Sequence, residues 1–351
     1  MILNIPEELL LKIFRYLTTQ DLLQNVALVN RKFRKISNDS DLLRIIVLKD
    51  IDEYVYQQVE NLLRKATRLQ KLTVKRNVLN HENLIKVALK TSKDLKCLEI
   101  TGNISEDFSL SLSEHGRNLK HLELLFPTEI TNADIWEDFV ESMKERLRSL
   151  RLNLNTGYPD FFGWNFNSLR HLQFLTKLDL VIARKALNDD QIENLARIPN
   201  LKEFILTGYA SSLMEYSGSL IKLVSKLNME HLENLEIKLR CSHYLPVIFE
   251  VLIGRLGPNL QKLQLGCEVD DCSEWCQEVR PPLDMDQIKT ILMKCPNLKQ
   301  LKISGKQLSE RFLCEVEYKY NLKLIVDLYK RKSMRRYKIF NPRFNESLVY
   351  F

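Results

Sequence analysis

Cysteines and histidines are the residues of this sequence best suited to chemistry, and one pair of them stands out. Cys97 and His121 occupy equivalent positions in two similar segments, so they would be neighbours on one face. A thiol and an imidazole can serve as nucleophile and base, but group transfer also needs an orienting partner and an oxyanion site. The sequence offers no candidate for either, and we therefore predict no catalytic site.

A cysteine-rich stretch, residues 266–286, is the second arrangement that could do chemistry. Structural zinc sites favour paired C-x2-C spacings. Here Cys267, Cys272 and Cys276 are separated by four and three residues, Cys295 follows later, and no histidine lies near. We expect free thiols and no metal. Phosphate-binding loops are absent too, because neither "ITGN" nor "ISGK" fits G-x-x-x-x-G-K, so no cofactor is predicted.

Composition favours an intracellular globular protein. Seven cysteines, an odd number scattered along the chain, indicate free thiols in a reducing compartment, the cytoplasm and/or the nucleus. The net charge is +7, but the basic residues are spread among 45 acidic ones, which argues against a nucleic-acid partner. No signal peptide and no run of about 18 apolar residues is present, so no membrane association is expected.

An internal repeat predicts the elements that would position these residues. The pattern L-x-x-L-x-L recurs in the segments "LRIIVL" (from 43), "LQKLTV" (69), "LKCLEI" (95), "LKHLEL" (119), "LRSLRL" (147), "LTKLDL" (175), "LKEFIL" (201), "LENLEI" (232), "LQKLQL" (260) and "LKQLKI" (298). "NLKLIVDL" (321–328) is a degraded last copy. Most separations between successive copies fall within the roughly 20 to 29 residues that are typical of leucine-rich repeats.

The repeat predicts an α/β fold. Leucines four and six of each copy point to one face of a short strand, and neighbouring copies must stack to bury that face. Segments such as 83–90 and 189–198 have helical spacing between the strands. We expect about 10–11 leucine-rich repeats over residues 43–328. They should form a curved solenoid with a parallel concave sheet and helices on the convex side, followed by a basic C-terminal tail at 329–351.

The concave face is the predicted target-binding surface. The positions between the leucines form a central column: Thr73, Glu99, Glu123, Arg151, Asp179, Ile205, Glu236, Gln264 and Lys302. We predict that a target protein contacts Glu99, Glu123, Arg151, Asp179 and Glu236. The four acids among them suggest an acidic strip that fits a target segment carrying Lys or Arg. The alternative is a solvated sheet face with no selected charge.

Residues 1–42 precede the repeats and predict three short helices. Pro6 suits the first turn of a helix, and Leu9, Leu10, Ile13, Phe14 and Leu17 lie along one broad face. Thr18 or Thr19 can cap a second helix, and a third carries Val29, Phe33 and Ile36. Three short helices form only a marginal core, so the apolar face must lean on the repeats or on another protein.

This stretch resembles the F-box. The match runs through "IPEELLLKIFRYL" and "QDLLQNVALVNRKFRKIS", with Ile5-Pro6 in place of Leu-Pro and Phe33 in place of the usual tryptophan. An F-box followed at once by leucine-rich repeats resembles the F-box/leucine-rich-repeat substrate receptors of SCF-type cullin ubiquitin ligases. The resemblance implies a non-catalytic subunit that docks on a Skp-type adaptor, and through it on a cullin. The implied docking residues are Ile5, Pro6, Leu10, Ile13, Phe14, Leu22, Leu23 and Val29.

Other interpretations remain open at this point. A leucine-rich-repeat scaffold or inhibitor unconnected with ubiquitin would use the helices only as a cap, and would bury their apolar face on "LLRIIVL". An F-box would leave Ile5, Pro6 and their neighbours exposed. The aromatic stretch 158–166 can pack on the repeats or anchor a partner. The basic tail can act as a nuclear-import signal, cap the last repeat, or fold back over the acidic strip.

Overall fold

A computed structural model gives the fold of the chain. It describes residues 5–75, 77–102, 104–125, 133–153, 166–183, 187–209, 213–239, 245–267, 285–304, 324–328 and 335–337. The chain divides into two compact units, Met1–Trp164 and Asn165–Phe351, each of which is described by itself.

Short helices open the first unit. They are α1 (Glu7–Phe14), α2 (Thr19–Asp21), a π-helical turn (Leu22–Val26), α3 (Ala27–Val29) and α4 (Arg31–Ser37). The Thr18 hydroxyl accepts a hydrogen bond from the Asp21 N–H, and the Asp21 carboxylate accepts one from the Thr18 N–H, so α2 begins with a capping box. The Asn30 side chain accepts the Phe33 N–H at 2.8 Å and caps α4.

These helices share one small apolar core. Its buried members come from α1, the π-helical turn, α4 and the segment that follows: Leu10, Phe14, Leu22, Phe33, Ile36 and Leu42. The rings of Phe14 and Phe33 meet edge to face with centroids 5.3 Å apart, a favourable geometry for two aromatic side chains. Phe33, at the position of the family's tryptophan, therefore fills this core together with Phe14.

Five repeats complete the first unit. After a 3-10 turn (Leu42–Arg44), strands β1 (Ile45–Leu48), β2 (Lys71–Val74), β3 (Cys97–Thr101), β4 (His121–Leu125) and β5 (Ser149–Asn153) pair in parallel in chain order. Helices α5 (Glu53–Lys65), α6 (His81–Thr91), α7 (Glu106–His115) and α8 (Ala133–Ser142) alternate with them. Buried strand residues such as Leu98 and Ile100, and buried helix residues such as Ile85 and Phe108, form the core.

The second unit repeats this plan. After a 3-10 turn (Asn167–His171), strands β6 (Lys177–Ala183), β7 (Glu203–Tyr209), β8 (Asn234–Leu239), β9 (Lys262–Cys267), β10 (Gln300–Ser304) and β11 (Leu324–Leu328) are parallel, and β12 (Arg335–Tyr337) pairs antiparallel with β11. The helices are α9 (Asp189–Ala196), α10 (Leu213–Lys226), α11 (Leu245–Arg255) and α12 (Met285–Lys294). Every predicted copy of the repeat has its strand, and the predicted α/β leucine-rich-repeat fold is confirmed.

Side-chain amides tie neighbouring repeats together just before the strands. The Asn200 amide donates to the Gln173 carbonyl of the preceding repeat at 2.7 Å, and the Asn259 amide donates to the Glu230 carbonyl at 2.7 Å. Asn118 and Asn297 do the same in other repeats. These bonds satisfy carbonyls in turns that no strand partner reaches, so they keep the strands in register. The sequence analysis did not predict them.

Candidate protein-binding surfaces

The N-terminal helices leave a set of apolar side chains exposed. On α1 and the turn after it, Leu9 and Ile13 are each 49% exposed and Tyr16 is 91% exposed. Leu28 and Val29 on α3 are 68% and 63% exposed. We call these five residues, together with the less exposed Leu17, the N-terminal apolar surface. Large exposed apolar side chains in one small domain are typical of a surface that another protein covers.

The eight predicted adaptor-docking residues fall into two groups. Pro6, Ile13 and Val29 are exposed, and Ile5 and Leu23 are partly buried. Leu10, Phe14 and Leu22 lie in the core of the helices, so in this conformation they support the shape of the surface and do not form it. Leu9, Tyr16, Leu17 and Leu28 are exposed residues that the prediction left out.

Hydrogen bonds fix the start of α1 and the position of α2. The Lys32 ammonium donates to the Ile5 carbonyl at 2.8 Å, which holds the Ile5-Pro6 segment against α4. The Val47 N–H of β1 donates to the Thr19 hydroxyl at 3.3 Å, which joins α2 to the outer edge of the first strand. The helices that carry the N-terminal apolar surface are therefore held to one another and to the first strand of the repeats.

The first strand does not bury the apolar residues of the helices. Of "LLRIIVL", Leu42 packs in the core of the helices and Leu43, Ile46 and Leu48 are buried, but Ile45 and Val47 are themselves 60% and 39% exposed. A simple cap would bury its apolar face on this segment. The exposed residues of α1 and α3 thus match the expectation for an F-box and not the expectation for a cap.

The second surface is the sheet face that carries the predicted central column. In the first unit, the register places Thr73 beside Glu99, Glu99 beside Glu123, and Glu123 beside Arg151. In the second unit, the register aligns Asp179, Ile205, Glu236, Gln264 and Lys302 in that order. The predicted column is therefore confirmed strand by strand. We call this side of each sheet the open face.

In the first unit, the acids of the open face are paired with cations. The Lys71 ammonium lies 2.5 Å from one Glu99 oxygen, and the Thr73 hydroxyl donates to the other at 2.8 Å. Burial favours the neutral form of Glu99, but these hydrogen bonds outweigh it and lower the pKa of that carboxyl. The Arg151 guanidinium donates to Glu123 at 3.2 Å. Each of the two acids thus has a cation on the neighbouring strand.

The thiol on this face is not activated. Cys97 stands beside His121 in the register, as the sequence predicted. Its Sγ lies 3.9 Å from a Glu99 oxygen, and burial together with that carboxylate raises the pKa of the thiol. A nucleophilic cysteine needs the opposite shift. The arrangement of Cys97 therefore disfavours nucleophilic chemistry on this face.

In the second unit, the acids of the open face are buried or paired. Glu236 is 7% exposed, and its two oxygens accept hydrogen bonds from the ammonium groups of Lys262 and Lys238, the latter at 3.0 Å. Burial raises the pKa of Glu236, but the two lysines outweigh it and the net shift is downward. Asp179 is 9% exposed, and the Lys177 ammonium lies 3.0 Å from Glu203.

The expected acidic strip is therefore wrong as a description of charge. The column contains the predicted acids, but Glu99, Glu123 and Glu236 are each neutralised by a lysine or arginine beside them. The spacing of the repeat places these cations on the same face, but it does not show which of them pair with the acids. Glu99, Glu123 and Arg151 lie on the open face of the first unit, and Asp179 and Glu236 lie on the open face of the second. Their contact with a target stays a prediction.

Several predicted features lie outside the described residues. These include Cys272, Cys276, the aromatic residues 158–164 and most of the basic tail. Phe166, the last residue of the aromatic stretch, is buried. Cys295 is also buried, and burial raises the pKa of its thiol to about 11. Within the described ranges, no cluster of His, Cys, Asp or Glu is arranged to hold a metal ion. None of the helices described is long and apolar enough to cross a membrane.

Comparison with known proteins identifies the N-terminal domain. Residues 2–49 match the F-box-like family. The chain therefore carries an F-box-like domain followed by leucine-rich repeats, and the predicted resemblance is confirmed. F-box and leucine-rich-repeat families are generally non-catalytic modules of protein-interaction adaptors. A search of curated proteins found no match.

Solved structures with a similar fold include the yeast complex of Rad7 and Elc1. That match has a TM-score of 0.50 at 15% identity and covers 95% of this chain and 87% of that chain. LegL7, a leucine-rich-repeat protein of Legionella pneumophila, gives a TM-score of 0.45 at 15% identity over 81% of this chain and 90% of that chain. Internalin C2 of Listeria monocytogenes gives 0.36 at 13% identity over 73% and 86%. At these identities the first match shows similarity of fold alone.

Proposed function

We propose that this protein is the substrate-recognition adaptor of an SCF-type ubiquitin ligase. Its F-box-like domain docks on a Skp-type adaptor that binds a cullin, and its leucine-rich repeats bind the target protein. It supplies no catalytic group of its own. Its contribution is to hold target lysines close to a separately recruited enzyme, which raises their effective concentration. The protein acts in the cytoplasm or the nucleus.

The observation that carries this proposal is the exposure of the N-terminal apolar surface. Ile13 and Val29 are 49% and 63% exposed although a folded core lies directly beneath them. When a partner covers exposed apolar side chains on a rigid support, their burial favours binding. The F-box-like match of residues 2–49 supports a Skp-type adaptor as that partner.

The target is proposed to bind the open face of the repeats. Glu99, Glu123 and Arg151 lie on that face in the first unit, and Asp179 and Glu236 lie on it in the second. Because their charges are largely paired within the chain, a target must match a mixed pattern of cations and anions and not a uniform field. Such a pattern favours specificity for the order of charges along the bound segment.

The test is capture of a purified Skp-type adaptor by the full-length chain. The variant Ile13→Asp/Val29→Asp places two charges on the N-terminal apolar surface, and we expect it to weaken capture by about tenfold or more. Leu110→Asp/Met293→Asp is the matched control. These two side chains are 47% and 69% exposed on α7 and α12 of the repeats, so the same change there should leave capture unaltered.

The outcomes separate the two interpretations of the N-terminal helices. Equal capture by the wild type and both variants would remove the N-terminal apolar surface from adaptor binding. No capture by the wild type, with the chain folded by circular dichroism, would exclude the ligase role and leave a leucine-rich-repeat binding protein. Circular dichroism of each variant checks that the charges have not unfolded the helices.

A further inference from the structure

The turns that lead into the strands of the first unit gather basic residues at one edge of the sheet. Four turns join a helix to the next strand there, at residues 66–70, 92–96, 116–120 and 143–148. Together they carry eight Lys or Arg residues and two acids, Asp94 and Glu145. The sequence analysis treated the basic residues as spread among acids, but the fold collects these eight along one edge.

The corresponding edge of the second unit is different. Its helix-to-strand turns lie at residues 197–202, 227–233, 256–261 and 295–299. They carry three cations and two acids, Glu230 and Glu233, so positive and negative charges nearly cancel. The two units share one architecture and therefore differ at this edge mainly in charge.

Four of the basic residues lie close together in the two middle turns of the first unit. The Lys120 N–H donates to the Lys96 carbonyl at 2.8 Å, and the Asn118 amide donates to the Lys93 carbonyl at 2.6 Å. Lys96 and Lys120 are thus neighbours, about 4.8 Å apart along the edge. Lys93 and Arg117 stand three residues earlier in the same turns, and all four side chains are exposed. We call these four residues the basic rim.

The acids on the elements around the basic rim do not neutralise it. On the adjoining strands, Glu99 pairs with Lys71 and Glu123 pairs with Arg151. At the helix ends, Glu141 pairs with Lys144, and Glu114 lies 3.6 Å from His115. None of the four rim cations forms an ion pair with a residue that the structure describes. Even when Asp94 and Glu114 are both counted against the four cations, positive charge is in excess.

Stabilisation of the helix ends does not account for these cations. A helix favours cations near its C-terminus, but the effect falls off within the last turn. α6 ends at Thr91 and α7 at His115, so Lys96 and Lys120 each lie five residues beyond a helix. At the equivalent place in the second unit, directly after the first leucine of a repeat, stand Glu233 and Gln261 as well as lysines. The repeat therefore does not require a cation at this position.

We propose that the basic rim binds a segment of a partner protein that contains about four consecutive Asp or Glu residues. The four turns of the first unit span three strand spacings, about 14 Å, which an extended segment of about four residues covers. These turns contain no aromatic residue that could stack on the bases of a single-stranded nucleic acid, whereas their charge complements an acidic peptide. The inference goes beyond the proposed function, because the basic rim lies outside the F-box-like domain and beside the open face.

The probe is a fluorescein-labelled peptide with four consecutive Glu residues between Ser-Gly ends, and fluorescence anisotropy follows its binding to the full-length chain. The informative variant is Lys96→Glu/Lys120→Glu, which reverses two charges of the basic rim. Lys202→Glu/Lys299→Glu is the matched control, because these lysines follow the first leucine of their repeats in the second unit and the net charge changes equally. A peptide with Gln in place of Glu tests for charge.

We expect the Glu peptide to bind the wild type at low salt, and Lys96→Glu/Lys120→Glu to weaken binding by about tenfold or more. The control variant should weaken it much less, and the Gln peptide should not bind. Equal affinity in the two double variants, or for the Glu and Gln peptides, would overturn the proposal. A single-stranded oligonucleotide of equal charge that competes as strongly as the Glu peptide would indicate a general polyanion surface and would also overturn it.

A further variant should strengthen binding, which a loss of folding cannot do. Asp94→Asn removes the one acid of the two middle turns and retains a side chain of the same size. We expect it to bind the Glu peptide about twofold more tightly at low salt, because repulsion between Asp94 and the peptide is removed. Unchanged or weaker binding in a variant that is folded by circular dichroism would contradict the proposal.

Adaptor capture by the same proteins separates this inference from the proposed function. The variants lie outside residues 2–49, so each should capture a Skp-type adaptor as the wild type does. Intact adaptor capture without selective binding of the Glu peptide would reject the basic rim alone. Selective peptide binding by a chain that captures no adaptor would reject the ligase role and support the basic rim.

Discussion

The N-terminal helices and the open face of the sheet are both candidate binding surfaces, but they satisfy opposite conditions. The helices expose apolar side chains, such as Ile13 and Val29, whose removal from water requires another molecule. The open face exposes charged side chains whose strongest partners, such as Lys71 for Glu99, come from the chain itself. The first surface leaves apolar area that a partner would bury, whereas the charges of the second are largely paired within the chain.

By this difference, the N-terminal apolar surface is suited to affinity and the open face to selectivity. Apolar burial is non-directional and gives free energy roughly in proportion to area. Paired charges on the open face must exchange one partner for another when a target binds, so their net contribution is small and depends on geometry. A constant partner suits the first surface, and a partner chosen by its charge pattern suits the second.

The largest expected effect comes from a cavity in the core beneath the N-terminal apolar surface, which leaves the open face unchanged. Phe14→Ala removes the ring that meets Phe33 at 5.3 Å, and we expect the N-terminal helices to lose about 3–5 kcal/mol of stability. Adaptor capture should be lost because the helices no longer present Ile13 and Val29. Chemical denaturation monitored by circular dichroism should still show the transition of the repeats.

Leu9→Ala is the control for this change. Leu9 is on the same helix but 49% exposed, so its truncation should alter the free energy of unfolding by no more than about 0.5 kcal/mol. A loss at Leu9 as large as that at Phe14 would mean that the exposed residues of α1 belong to the core after all.

A smaller change loosens the sheet beneath the open face without altering its charges. Asn200→Ala removes the amide that donates to the Gln173 carbonyl of the preceding repeat, and we expect a loss of about 1 kcal/mol in the free energy of unfolding. Binding to the open face should weaken slightly, whereas adaptor capture should be unchanged. The exposed Asn61→Ala on α5 serves as control, and equal losses for the two asparagines would show that the cross-repeat bond adds nothing.

The smallest expected effect is a contribution of the open face to the dependence of stability on pH. The pKa of Glu236 is lowered in the folded chain, so its stabilising contribution is present above its ordinary value of about 4.5 and is lost as pH falls through the lowered pKa. Glu236→Gln should therefore lose less stability than the wild type between neutral pH and about pH 3. Urea denaturation at the two pH values measures this difference.

Glu53→Gln, an exposed change of the same kind on α5, is the control for titration elsewhere. It should retain the pH dependence of the wild type. An unchanged pH dependence in Glu236→Gln would indicate that Lys238 and Lys262 gain nothing from the carboxylate in solution, and would weaken the comparison between the two surfaces.

The repeat made much of the fold predictable from the sequence. Each copy fixes where a strand begins and which leucines are buried, because the alternation of a strand leaves only two faces. The column from Thr73 to Arg151, and that from Asp179 to Lys302, follow from this alternation and agree with the register. The F-box-like domain was recognisable because residue types and spacing agree across three helices.

The sequence did not predict which of the apolar residues of α1 are buried. Leu9, Leu10, Ile13 and Phe14 form two adjacent stripes of the helix, each with a spacing of four residues. Both stripes are equally apolar, so the sequence could not tell which one is inside. The packing of Phe14 against Phe33 of α4 buries one stripe and leaves Leu9 and Ile13 exposed.

The sequence by itself determined the period of the repeats, the buried leucines of each strand and the presence of an F-box-like domain, because these depend on spacing within one segment. Only the tertiary structure decided which charges cancel and which apolar stripe is exposed. The pairing of Lys71 with Glu99, and the burial of Glu236 between Lys238 and Lys262, depend on side chains that meet from neighbouring strands or pack against neighbouring elements. Contacts of that kind join different segments, so the spacing of residues within one segment does not predict them.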